Sequence, residues 1–293
     1  MIPWADLSAV IEPFYPKGEC RGRPTVGVER MQRVHFLQHW FKSDSAVEEA
    51  LYDSREMRRF VGIDLGWEPA PDETTICKFR HLLEHHHPGD RLFALMAGYL
   101  QKNRPKASPG TIADATIISA PNSTKNKARK RDPEMRQTRK SNQWYFGMKT
   151  HIGLDSRTKL IHSVAATAAD VHDSRLLADL THGGEARVWG GSAHAGQSDV
   201  TREHAPKAKD LTQKKGGRHR SLTGAERAKN RSKSRVRAKD EHPFLILKRL
   251  FDFIKVRYRG LDKNANWLFV ACGLVNAYMA RRHLLRATQG LGA

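Results

Sequence analysis

An α/β fold with a mixed sheet flanked by helices, preceded by an all-helical N-terminal domain, follows from three observations. Apolar side chains recur at helical spacing over the first hundred or so residues, strand-like runs take over after a Pro- and Gly-containing linker, and helical patterning returns after the last of those runs. At 293 residues the chain can form one large domain or two ordinary ones. The change of period argues for two: residues 1–103 as a helical unit, 104–110 as linker, and 111–288 as the α/β domain, with a basic insertion at about 197–225.

In the helical unit, Met31, Val34, Leu37 and Phe41 mark one face of a helix over 28–42. Ser45 with Glu48 three residues later makes a capping box for a helix running on to Met57. A third helix starts near Asp72 and carries Ile76, Phe79, Leu82 and Leu83, and a fourth covers Leu92 to Leu100. Pro105, Pro109 and Gly110 punctuate the linker. Beyond it, residues 111–118, 144–154, 160–167 and 186–190 read as strands, with a turn at 155–158 and a helix from about Val171 to Leu180. Thr223 and Glu226 form a second capping box, opening a helix whose one face carries Ser234, Arg237, Glu241 and Lys248 if it continues past Pro243. The apolar stretch from Ala265 to Ala280 is a core helix, because Asn266 and Asn276 interrupt it and a membrane span needs roughly 20 residues.

A formal charge of +20 and a pI near 10.1 point to a polyanionic partner, with nucleic acid ahead of an anionic membrane. The N-terminus has neither a basic nor an apolar signal region, so a cytoplasmic location is expected, nucleoid-associated when DNA is bound. Cys20, Cys77 and Cys272 are too few and too scattered for a disulfide frame or a zinc site. The run His85, His86, His87 points its rings to different sides of a helix and reads as a solvated helix end before Pro88.

Positive charge is concentrated in two segments. Residues 121–142 hold eight Lys or Arg against Asp132 and Glu134, among them Lys125, Arg129, Lys130, Arg131, Arg139 and Lys140. Residues 202–239 hold fourteen against Glu203, Asp210 and Glu226, including Lys214, Lys215, Arg218 and Arg220. A charge run is commonly a solvated loop, but these two flank the acids Asp114 and Glu241, where they would suit a phosphate backbone. Asp114 lies within an apolar strand, a costly place for a carboxylate unless it faces solvent, is paired or binds a metal. Carboxylates suit Mg²⁺, and two such ions about 4 Å apart support phosphodiester cleavage and transfer.

Several motifs in one order carry a resemblance. Asp114 to Ile118, Pro133 to Met135, Asn142 to Trp144, Val171 to Asp173, Glu241 to Phe244, and Lys255 to Leu261 resemble the DDE transposases of bacterial insertion sequences, in the family numbered five; Asp72 to Arg80 is similar to that family's helical leader. The resemblance implies a ribonuclease-H-like domain with Asp114 on its first strand and Glu241 on a late helix, both as metal ligands. It implies two Mg²⁺ or Mn²⁺ ions, Arg237 and Lys248 on DNA, and a homodimer holding terminal inverted repeats and target DNA. Ser234 stands where related signatures have tyrosine. At Gly190-Gly191-Ser192-Ala193-His194 the family reads glycine, aspartate, small residues and an aromatic, so the second acid is replaced by Gly191 and metal binding is weakened. Asp170, Asp173 and Asp199 are near in sequence.

Two functions follow. One is a two-metal DNA transposase; the other is a non-catalytic DNA-binding remnant that occupies element ends, and Gly191 favours the second for this polypeptide. A metal-dependent nuclease or resolvase would use the same acids, but the helical leader and the match along the chain argue against it. Trp144 and Trp189 read as packing residues in strands, and the helices over 28–42 and 72–87 are the candidates for reading DNA.

Overall fold

The computed structural model describes residues 2–17, 25–41, 43–102, 110–127, 129–217 and 220–289. Linker residues 103–109, Cys20 and Arg218 lie outside them. The N-terminal part is helical, with α1 (Trp4–Ile11), α2 (Val28–Leu37), α3 (Asp44–Asp53), α4 (Arg55–Val61), α5 (Glu73–His86) and α6 (Gly89–Lys102). Polar caps set these boundaries. Ser43 rather than Ser45 caps α3, accepting from the Ala46 amide, and Glu48 instead accepts from the Glu73 amide at 2.7 Å, tying α3 to the start of α5. Ser54 then caps a separate α4, so the single helix expected through Met57 is two. Asp72 caps α5, which ends at His86 with His87 left-handed at φ 47°, the solvated end expected there.

The α/β part holds one six-stranded sheet built from β1 (Gly110–Ser119), β2 (Arg136–Lys140), β3 (Gln143–Asp155), β4 (Ile161–Ala168), β5 (Arg187–Gly190) and β6 (Lys209–Asp210). Antiparallel β3 lines one edge of β1, with β2 and β4 end to end along the far edge of β3. On the other edge of β1, β5 and then β6 are parallel. This is the expected mixed sheet with helices about it. Sequence patterning missed β2 because its residues are almost all exposed and charged, and β6 because two residues carry no period. The segment 197–225 is not wholly an insertion, since α7 (Ser198–His204) and β6 fall within it and β6 joins the sheet. Where a helix was expected over 171–180 there is one short 3₁₀ turn at Asp173–Leu176.

The helix begun at Thr223 does not run to Lys248. It stops as α8 (Gly224–Arg237), and after residues 238–240 the chain restarts as α9 (Glu241–Leu245) and a π-turn (Ile246–Leu250). Ser234, Arg237, Glu241 and Lys248 therefore do not share one continuous helical face. The final helix, α10 (Leu261–Gln289), supplies Trp267, Leu268, Ala271 and Val275 to the main core. Ile112, Ile118, Met148, Ile152 and Leu154 meet it from one face of the sheet, and Phe93 and Met96 from α6. Its polar interruptions are structural: Asn276 accepts from the Ile161 amide at 2.8 Å and donates to the Ile161 carbonyl at 2.7 Å, clamping β4, and Asn266 accepts from the Gly89 amide at 2.7 Å. A Cβ at Gly89 would lie 2.4 Å from the Asn266 carbonyl oxygen, so only glycine lets α6 approach α10 here. Thus α6 packs with the α/β core, while Ile11, Met31, Val34, Leu51, Ile76 and Leu83 form a separate core for the preceding helices. Among the described residues no helix is long and apolar enough to cross a membrane.

Buried histidines join the two cores. His39 stacks on Trp267 with ring centroids 4.6 Å apart, and His35 bonds Gln38 at 2.7 Å. Burial pushes His35 down to about 4 and His39 well below its usual value, so both rings are neutral when folded. Unfolding frees each to take up a proton below 6.5, so this contribution to stability is complete above that pH and is lost on acidification toward 4. Replacing His35 by Gln is expected to remove about 2 kcal/mol of the stability lost between pH 7 and 5, read by urea unfolding at both pH values; an unchanged pH dependence contradicts this.

Candidate active site

Asp114 sits where the sheet splits. Parallel pairing of β1 with β5 ends at Ala113 opposite Gly190, so Asp114 and Gly191 are the next residues on each strand. A crevice at the carboxyl ends of parallel strands is a common place for chemistry, because the backbones part and side chains converge there.

A short chain of hydrogen bonds delivers α8 to this crevice. The Gln213 amide donates to the Gly190 carbonyl at 3.0 Å, and its side chain donates to Ser234 Oγ at 2.6 Å, one turn before Arg237. Asn230 exchanges two bonds with the Lys214 backbone, and Lys233 Nζ donates to the Thr212 carbonyl at 2.6 Å. At its start the helix carries the full capping box, and backbone bonding at Thr223 with Lys214 beside it pushes the Glu226 carboxyl down to about 2. Arg237, in the last turn, places Nη2 3.3 Å from Asp114 Oδ1 and 4.0 Å from Asp240 Oδ2.

The guanidinium lies close against Gly191. A Cβ built there would lie 3.2 Å from Arg237 Nη2, 3.3 Å from Cζ and 3.4 Å from Nη1. The second carboxyl that Arg237 reaches is Asp240, which is buried. Burial, then the Asp114 charge, pushes Asp240 up to about 8, with Arg237 pulling the other way. Glu241 begins α9 exposed at the surface and is felt at Asp240 as a further negative charge. No feature of the sequence distinguished Asp240 from its neighbour Glu241, because a shift of one residue at a helix start changes no pattern.

Behind Asp114 lies a second polar group. Lys149 Nζ bonds Asp173 at 2.9 Å, overriding the effect of burial and holding that carboxyl below its usual range. Burial lowers His151 to about 4 and also lowers His194, partly offset at His194 by Asp173 and Asp114. Both ring nitrogens of His194 lack a hydrogen-bond partner among the described residues. Asp170 and Asp199 are not in the Asp114 group: Asp199 pairs with Arg202 at 3.2 Å on an exposed helix.

The cationic candidates separate by what holds them. Lys214 and Arg220 are anchored on Glu226 at 3.1 and 2.9 Å, whereas Lys215 is exposed. Lys125, Arg129, Lys130 and Arg131 are exposed on the loop before β2, with Arg131 also lying over the Phe146 ring at 5.4 Å. Arg139 and Lys140 are exposed on β2, and Lys140 is close enough to Lys248 to help burial lower its pKa. Lys248 Nζ bonds the Ile117 carbonyl at 3.1 Å on the open edge of β1. Trp189 is buried as expected, but Trp144 is 64 % exposed on the same hairpin and is not a packing residue.

The two-ion site implied by the resemblance does not fit this donor set. Among the described residues no group of three or more His, Cys, Asp or Glu is arranged to hold a metal ion, Gly191 has no side-chain oxygen, and a guanidinium lies on Asp114.

The raised Asp240 pKa has a measurable sign. The folded chain keeps a proton that the unfolded chain releases above 3.8, so this contribution to stability declines as pH rises from about 4 to 8. Asp240→Asn is expected to lose less thermal stability than wild type between pH 6 and 8; equal losses contradict the assigned shift.

Comparison with family models agrees with the resemblance at the level of a DDE-type transposase. The family model described as a transposase DDE domain matches residues 105–277, and one described as a transposase domain matches residues 1–82. A structure of piggyBac transposase, a synaptic complex with hairpin DNA, aligns at 10% identity and a TM-score of 0.46, covering 99% of this chain and 73% of that one. Divalent metal ions are generally used in the DDE family, which sets the donor set here apart. The match over more than half its length shows that the chain belongs to the transposase DDE-domain family.

Proposed function

We propose that this chain is a transposase of the insertion-sequence type, in the family numbered five, that binds terminal inverted repeats and target DNA but is impaired in cutting them. The observation that carries the reading is the neighbourhood of Asp114: the residue next to it across the split sheet is Gly191, which has no carboxylate. Asp114 and Glu241 remain as two acids of the family pattern, and Mg²⁺ or Mn²⁺ would need the third. Removing one member of a site that acts as a unit costs nearly as much as removing the site.

The DNA-binding role rests on charge and its distribution. The exposed cations of the 121–142 loop and hairpin, together with Lys215, form two cationic segments, and a net +20 supports backbone binding with steep salt dependence. A homodimer on DNA is the assembly that two element ends require. Such a protein would act as an occupant of those ends, competing with active copies.

The paired experiment is a gel shift and a cleavage assay on terminal-repeat DNA with Mg²⁺ or Mn²⁺, using wild type and Gly191→Asp. Wild type is expected to bind and not cut, and the variant to bind equally and cut at least about tenfold faster. Equal nicking by both proteins overturns the impairment, and failure of both to shift DNA overturns the binding role.

A further inference from the structure

We infer that Arg237 is the resident cation of the Asp114 centre, occupying it in place of a divalent metal ion and closing it to such ions. This rests on the reading of Asp114 and position 191 as the family's catalytic centre. Two carboxyl groups, Asp114 and the buried Asp240, come within 4.0 Å of one side chain in this crevice, and a buried negative charge is costly without a positive partner. The charge supplied is a guanidinium, bonded to one carboxyl at 3.3 Å and 4.0 Å from the other.

Three features separate this contact from an ordinary surface ion pair. Its side chains are only 20 % and 26 % exposed. Its arginine is delivered by a helix fixed to the strand segment after β6, through Gln213 to Ser234 and Lys233 to Thr212, so the guanidinium is placed rather than free to wander. Finally, the space it fills is the space that a side chain at 191 would enter, with three guanidinium atoms 3.2–3.4 Å from that Cβ position. A metal ion arriving at Asp114 would have to displace a permanently charged arginine. Part of the arrangement is unsaturated, since Arg237 Nε and Asp240 Oδ2 have no hydrogen-bond partner among the described residues. Arginine therefore holds the pair by charge more than by a complete set of bonds.

The test is Mn²⁺ binding, followed by electron paramagnetic resonance titration without DNA, on wild type, Arg237→Met and the double variant Arg237→Met/Asp240→Asn. Wild type is expected to show no saturable site that depends on Asp114. Arg237→Met should gain one, at least about tenfold tighter, and the added Asn should remove it. Arg237→Gln, which keeps polar contacts without the charge, takes the place of Met where Met prevents folding. The inference is overturned if wild type binds Mn²⁺ at a site that Asp114→Asn abolishes, or if folded Arg237 variants bind it no better than wild type. A gel shift in the presence of EDTA separates the two readings: DNA binding there stands or falls with the proposed function, whatever the Mn²⁺ titration shows.

Discussion

The contact between Arg237 and Asp114 is the constraint on which the rest of the site depends. It joins the first strand of the sheet to a helix that begins more than a hundred residues later, and it does so where the parallel strands part. Without that positive charge, Asp114 and the buried Asp240 would lose the one guanidinium that both lie within 4.0 Å of. The burial of Asp240 and the lack of a side chain at 191 both have their physical meaning in relation to that guanidinium.

The surrounding fold makes the contact possible by fixing both partners independently. Asp114 is held by a long antiparallel ladder with β3, whose neighbour β4 is clamped to α10 through Asn276. Arg237 is held by α8, whose capping box and lateral bonds to residues 212–214 compensate for an exposed, highly charged surface with no buried residue. A helix of that composition has no apolar stripe to orient it, so polar bonds do the orienting. Farther off, the stacked pair His39 and Trp267 ties the N-terminal helices to the same central helix.

Much of this was legible in the sequence. The period change after the linker, four of the six strands, the Thr223 and Glu226 capping box and the core role of Ala265 to Ala280 follow from side-chain spacing alone. What was hidden depends on atoms brought together by tertiary structure. The break at 238–240 was signalled only by Pro243, a few residues beyond it, and it decides that Asp240 turns inward while Glu241 faces out. Strand β2 was masked by its own charges, which satisfy a strand at an edge as well as a loop in solvent. Trp144 looked like packing because aromatic residues favour strands, yet that part of the hairpin leaves it 64 % exposed.

The most direct test of the resident-cation account is a double-mutant cycle on thermodynamic stability with Asp114→Asn, Arg237→Met and the double variant, measured by urea unfolding at pH 7. A partly buried pair fixed from both sides predicts a favourable coupling of about 1 kcal/mol or more, with Arg237→Met destabilising chiefly when Asp114 is ionisable. A coupling near zero, as for a mobile surface pair, would contradict it.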